Sequence, residues 1–129
     1  MLQNIFNLFL KYIDEMCSNF IESYSFGSIK IGGRSYSDDV ILLGKEVKSG
    51  WWRNRGHTVQ KPDLFDVIEY QPDLLIIGTG NSGRMSVPRE LIKKLDFNVE
   101  SYRTNKACKV YNKKLDQNIK LAGAFHLTC

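Results

Sequence analysis

The chain has 129 residues and a mass of 14.8 kDa, enough for one domain with a core of its own. Hydrophobic residues make up 43%, charged residues 25%, and the formal net charge is +4. That balance excludes a disordered tail, a bundle of membrane spans and a disulfide-knotted mini-protein. Three cysteines, Cys17, Cys108 and Cys129, are an odd number without a CxxC pair, so a reducing, cytoplasmic compartment is expected.

Residues 1–20 carry Leu2, Ile5, Phe6, Phe9, Tyr12, Ile13, Met16, Cys17 and Phe20 at spacings of three and four. The pattern predicts an amphipathic helix added in front of the domain. It packs on its own domain, serves as a homodimer or partner surface or, against the shortage of basic residues on its polar face, docks at a membrane surface. Lys11, Asp14 and Glu15 interrupt the apolar run and no arginine is present, so neither a signal peptide, a mitochondrial presequence nor a bilayer span is expected.

A single α/β domain is expected over residues 21–129. Residues 21–31 read as extended chain, and Gly32-Gly33 is a two-residue hairpin signal. Residues 40–43, all apolar, predict a buried strand, and the basic stretch 45–61 reads as a loop. Pro62 opens a helix with Leu64, Phe65 and Ile68 facing inward, ended by Gln71-Pro72. Residues 73–77 predict a second buried strand, which runs into a glycine-rich turn. A helix capped by Ser86 with Pro88 in its first turn follows, then a strand over 97–102. Thr104 caps a last helix, and residues 119–125 predict a final strand. Strands alternating with helices indicate a three-layer α/β domain around a central mixed sheet, with an N-terminal β-hairpin contributing the antiparallel part.

Charge is uneven along the chain. Residues 62–83 hold four acids and no base, while 45–61 sum to +4 and 84–120 to +6. Solvated helix faces account for this, and with no reader motif present nucleic acid is not an expected partner.

Gly78-x-Gly80-x-x-Gly83 directly after a buried strand resembles a dinucleotide fingerprint, with Glu100 about twenty residues on. The helix that should begin within those glycines is delayed to Pro88. Glycines that supply positive φ and close packing are the alternative account. Thr79, Asn81, Ser82 and Arg84 still make the loop polar and rich in donors, suited to a small anionic ligand. In the other polar loop, Trp51 and Trp52 stand beside Arg53 and His57. One indole is expected in the core, and the other as a pocket wall or interface anchor. His126-x-x-Cys129 with His57 could offer zinc ligands, and Cys129 with a histidine a thiolate pair, but no spacing demands either. No metal, cofactor or catalytic residue is expected, and catalysis is disfavoured.

Ile21-Glu-x-Tyr-Ser-Phe-Gly27, Gly50-Trp-Trp-Arg53, Gly56-His57, Leu75-Ile-Ile-Gly-Thr-Gly80, Gly83, Val87-Pro88 and His126-Leu-Thr-Cys129 together resemble one small family. It is the uncharacterised domain family that includes the adipogenesis-associated domain protein and the mitochondrial NADH:ubiquinone oxidoreductase (complex I) assembly factor 3, with archaeal and bacterial members. The resemblance spans residues 21–129 and implies a three-layer α/β domain without assigned catalysis, acting through protein partners. The expected function is that of a soluble accessory or protein-interaction domain. Its expected contact surface combines Trp51, Trp52, Arg53 and His57 with the turn Gly78, Thr79, Gly80, Asn81, Ser82, Gly83 and Arg84. The alternative is a nucleotide- or anionic-metabolite-binding domain using the Gly78–Gly83 loop.

Overall fold

A computed structural model describes residues 20–129 together with Ile5 and Asn7. The amphipathic helix expected over residues 1–20, and its role as a dimer surface, fall almost wholly outside the described residues.

The chain runs through β1 (Ile21–Ser25), β2 (Ser28–Ile31), β3 (Arg34–Tyr36), β4 (Val40–Leu43) and β5 (Glu46–Ser49). A 3-10 turn (Lys61–Leu64) leads into α1 (Phe65–Tyr70), followed by β6 (Leu74–Thr79), α2 (Arg89–Lys93), β7 (Asn98–Tyr102), α3 (Thr104–Lys114) and β8 (Leu121–His126). Five strands form the central sheet in the order β5-β4-β8-β6-β7. It is mixed: β8 pairs antiparallel with β4 and parallel with β6, while β7 pairs parallel with β6.

The antiparallel part of that sheet comes from β4 and β5, not from the N-terminal hairpin. A turn at Gly27 breaks the expected extended run, and β1, β2 and β3 form an antiparallel sheet of their own. Residues 46–49 correct the expectation of a loop over 45–61. Their polar sequence suits an edge strand with one covered side.

Period-two alternation assigns the core. Val40, Leu42, Ile76 and Phe125 point to one face, where Ile29 and Ile31 of the small sheet and Ala107, Cys108 and Tyr111 of α3 cover them. Ile41, Leu43, Leu75, Ile77, Ala122 and Ala124 point to the other, under Trp51, Val59, Leu64, Val67, Met85 and Leu91. Three layers result. Gly123 leaves room for the Phe125 ring, which meets Tyr111 edge to face at 5.6 Å. Phe65, expected to face inward, points to solvent because Leu64 and Val67 fill that side of the short helix.

No helix among the described residues is long and apolar enough to cross a membrane.

Candidate functional site

The two sequence loops flank one buried polar cluster. Gly50, at φ +81, turns the chain out of β5, and the N–H groups of Gly50 and Trp51 both donate to the Asp39 carbonyl at 2.9 Å. The loop is thereby pinned to the residue that precedes β4. Trp51 is buried, its Nε1–H donating to the Asp63 carbonyl at 2.9 Å. Trp52 points the other way and is 74% exposed.

Arg53 turns inward again. Its guanidinium lies 4.5 Å from the centre of the Trp51 ring, a cation–π contact on a desolvated indole. Nε donates to the Gly56 carbonyl at 3.1 Å and Nη2 to Asp39 Oδ2 at 2.8 Å. His126, at the end of β8, places Nδ1 2.7 Å from the same Oδ2. The Leu127 N–H donates to Oδ1 at 2.8 Å. Burial alone would raise the Asp39 carboxyl, but the hydrogen bonds from His126, Leu127 and Arg53 outweigh it and hold the group below its ordinary range. The ionised carboxylate only accepts, so His126 carries its proton on Nδ1. The 3.0 Å approach of Arg53 Nη2 to that nitrogen is therefore two donors sharing one oxygen.

Two buried nitrogens of the cluster have no partner among the described residues, Arg53 Nη1 and His126 Nε2. Leaving such a group unpaired costs about 1–3 kcal/mol. The side chains that carry them are 6% and 9% exposed. His57 stands edge-on to His126 with ring centres 6.3 Å apart.

Gly80 brings the glycine turn to the same histidine. At φ +103, a Cβ there would lie 2.4 Å from the Cys129 carbonyl carbon and 2.9 Å from His126 Cδ2. Thr104, expected to cap α3, instead bridges the site. Its hydroxyl accepts from the Gly80 N–H at 2.8 Å and donates to the His126 carbonyl at 2.6 Å. Three other amides of the turn are engaged as well. Asn81 N–H donates to Thr128 O, Gly83 N–H to Gly80 O and Arg84 N–H to Cys129 O. Gly78 is packed against Thr104 and Phe125, and the Thr79 hydroxyl donates to the Tyr102 carbonyl at 3.1 Å. Asn81, Ser82 and Arg84 are exposed. Glu100 accepts from the Tyr102 hydroxyl at 2.6 Å. Arg53, His57 and Gly80 thus meet at His126, with Trp51 behind Arg53, while Trp52 and the rim of the turn lie outside that cluster.

Two clefts flank Trp52. One, of about 270 Å³, runs from Ile41 and Lys48 past Trp51 to Asp63 and Phe65, which is itself 61% exposed. The other, of about 420 Å³, is lined by Ser37, Asp38, Asp39, Arg53, Gly56 and Thr128. Neither is lined by residues 78–84. Among the described residues no three His, Cys, Asp or Glu side chains come together to hold a metal ion.

Residues 21–126 match the model of a protein family described as being of unknown function, DUF498/DUF598. The chain belongs to that family. The DUF498/DUF598 fold recurs in archaeal and bacterial solved structures. A conserved hypothetical protein from Pyrococcus horikoshii, PH1505, is 24% identical over 84% of this chain and 98% of its own, with a TM-score of 0.72. XCC1710 of Xanthomonas campestris reaches 0.72 at 15% identity, covering 83% of each chain. A Bordetella pertussis protein described as a Mth938-like domain gives 0.56 at 17% identity over 86% of this chain and 87% of its own. These likenesses show the fold of this chain alone.

Asp39 and the role of His126 are what sequence reading misses. Spacing offers His126 only as a metal or thiolate partner, and it does not single out Asp39. The available signal is an acid immediately before the all-apolar run 40–43, a position where a carboxylate is carried toward the core by the strand that follows.

Proposed function

We propose that this DUF498/DUF598 domain is a non-catalytic accessory domain that captures a protein partner on the face around Trp52. The observation that carries the reading is the geometry of that indole. It projects from a loop tied down at both ends, by Asp39 to residues 50 and 51 and by Gly56 and Asp39 to Arg53. A large, rigid, exposed aromatic between two clefts, with exposed Phe65 across the smaller one, has the form of an interface anchor. The motif likeness to the complex I assembly factor 3 and the adipogenesis-associated domain protein points the same way, toward work through partners rather than chemistry. A cytoplasmic setting accords with the thiols. The glycine-turn alternative has less support, since the amides of Gly80, Asn81, Gly83 and Arg84 are spent within the fold.

Comparison of wild type with Trp52→Ala by quantitative cross-linking in cells tests this. The expected result is loss of specific cross-linked partners from the variant at unchanged protein level and melting temperature. An identical partner set for the two proteins would overturn the reading.

A further inference from the structure

We infer that the Arg53–His126 cluster is a binding site for a small oxyanion, distinct from the amides of the glycine turn. Two nitrogens with complementary demands carry this. Arg53 Nη1 can only donate, and nothing in the described protein accepts from it. His126 has committed Nδ1–H to Asp39, so Nε2 is an acceptor in the neutral ring and a donor in the charged one. It too lacks a partner among the described residues.

A protonated oxyanion such as hydrogen phosphate answers both demands, accepting from Nη1 and donating to neutral Nε2. A fully ionised oxyanion or a carboxylate answers them with His126 as imidazolium. Charge allows it. Arg53 and Asp39 neutralise each other, and the imidazolium form would leave the cluster one unit positive, against Asp38 on the cleft wall.

The cluster is also built rather than incidental. Asp39 fixes the guanidinium through Nη2 and the imidazole through Nδ1, Gly56 holds Nε, and Trp51 backs the guanidinium plane. Each side chain is held through its other nitrogens, and only the unpartnered one is left to meet a ligand. Arg53 and Asp39 line the 420 Å³ cleft beside Trp52, which brings the guanidinium side of the cluster to open space, while Nη1 and Nε2 themselves lie covered. His57, edge-on to His126, adds a second ionisable ring at the periphery.

The test is a titration of the uniformly ¹⁵N-labelled full chain, reading the His126 ring nitrogens by long-range ¹H–¹⁵N correlation. Inorganic phosphate is added in one arm and acetate in the other. The expected result is a saturable shift of Nε2 with a midpoint near or below about 1 mM in at least one arm. Tighter phosphate binding would identify a phosphoryl group as the ligand, and tighter acetate binding a carboxylate. Arg53→Lys, which keeps the charge but loses the fork, should weaken the response at least about tenfold. Lys113→Ala, a distant loss of the same charge, should leave it unaltered. Should Arg53→Lys fail to fold, the wild-type titration alone decides. Unmoved His126 resonances in both arms up to about 20 mM would overturn the inference, as would an equal response in Arg53→Lys.

Discussion

His126 Nδ1 stands 2.7 Å from Asp39 Oδ2 across 87 residues of sequence, and this contact joins the end of β8 to the entrance of β4. The carboxylate also offsets the buried Arg53. Asp39→Ala should therefore cost about 3 kcal/mol or more, since it strands a guanidinium in the interior. Urea unfolding measures it. A loss below about 1 kcal/mol would mean that the cluster is solvated and contributes little.

The acid limb of stability should carry the signature of the same residue. Asp39 titrates below its ordinary value of 3.8 in the folded chain, so it binds fewer protons there than when unfolded. Its contribution is complete above the ordinary carboxylate range and is lost as pH falls through the lowered folded value. Urea midpoints for wild type and Asp39→Asn should differ by a constant amount from pH 7 to about pH 5 and converge below about pH 4. A gap that stays constant to about pH 2 would contradict this assignment.

The adjacent indoles should separate cleanly on truncation. Trp51→Ala empties a core position and removes the ring behind Arg53, a loss of about 3–5 kcal/mol. Trp52→Ala, on a side chain that is mostly in water, should stay within about 0.5 kcal/mol. Comparable melting temperatures for the two variants would show that the loop packs differently.

Gly80→Ala should be among the worst single substitutions in the molecule. The added methyl meets the Cys129 main chain at 2.4 Å on a backbone at φ +103, so residues 128–129 must lift from the turn. The expected cost is above about 2 kcal/mol, together with faster exchange of the Asn81 and Arg84 amides. Exchange at the wild-type rate would mean that the tail contributes nothing to closing the turn.

The described thiols should react very unequally. Burial pushes the Cys108 thiol up to about 12, whereas Cys129 is partly exposed. In a Cys17→Ser background, iodoacetamide at about pH 8 should modify Cys129 and spare Cys108 until urea is added. Equal modification rates in the native state would show that α3 opens readily.

The central layer is legible because covered strands leave a plain mark. Residues 40–43, 73–77 and 119–125 are largely apolar on both sides of the pleat, which only a sheet buried on two faces requires. The edge strand Glu46–Ser49 carries no such run, so its polar residues read as a loop. Phe65 misleads because a short helix offers too few turns to choose between faces, and Leu64 and Val67 take the inner one. At the site, local spacing draws attention to the indoles and to Arg53. Asp39 and His126 lie far apart in sequence and meet only through the sheet, a pairing that periodicity cannot register. The glycine turn shows the converse failure. Its pattern is right for an anion, yet the Asn81, Gly83 and Arg84 amides face the chain's own carbonyls and the Gly80 amide the Thr104 hydroxyl.

The position of β8 bears on how such a molecule is made. It sits between β4 and β6 in space but follows both in sequence. On a translating ribosome, the earlier strands therefore wait as two half-sheets, each with an open apolar edge, until residues 121–126 emerge to join them. Nascent chains of this design leave the exit tunnel as sticky intermediates, and close only when the seam is threaded late.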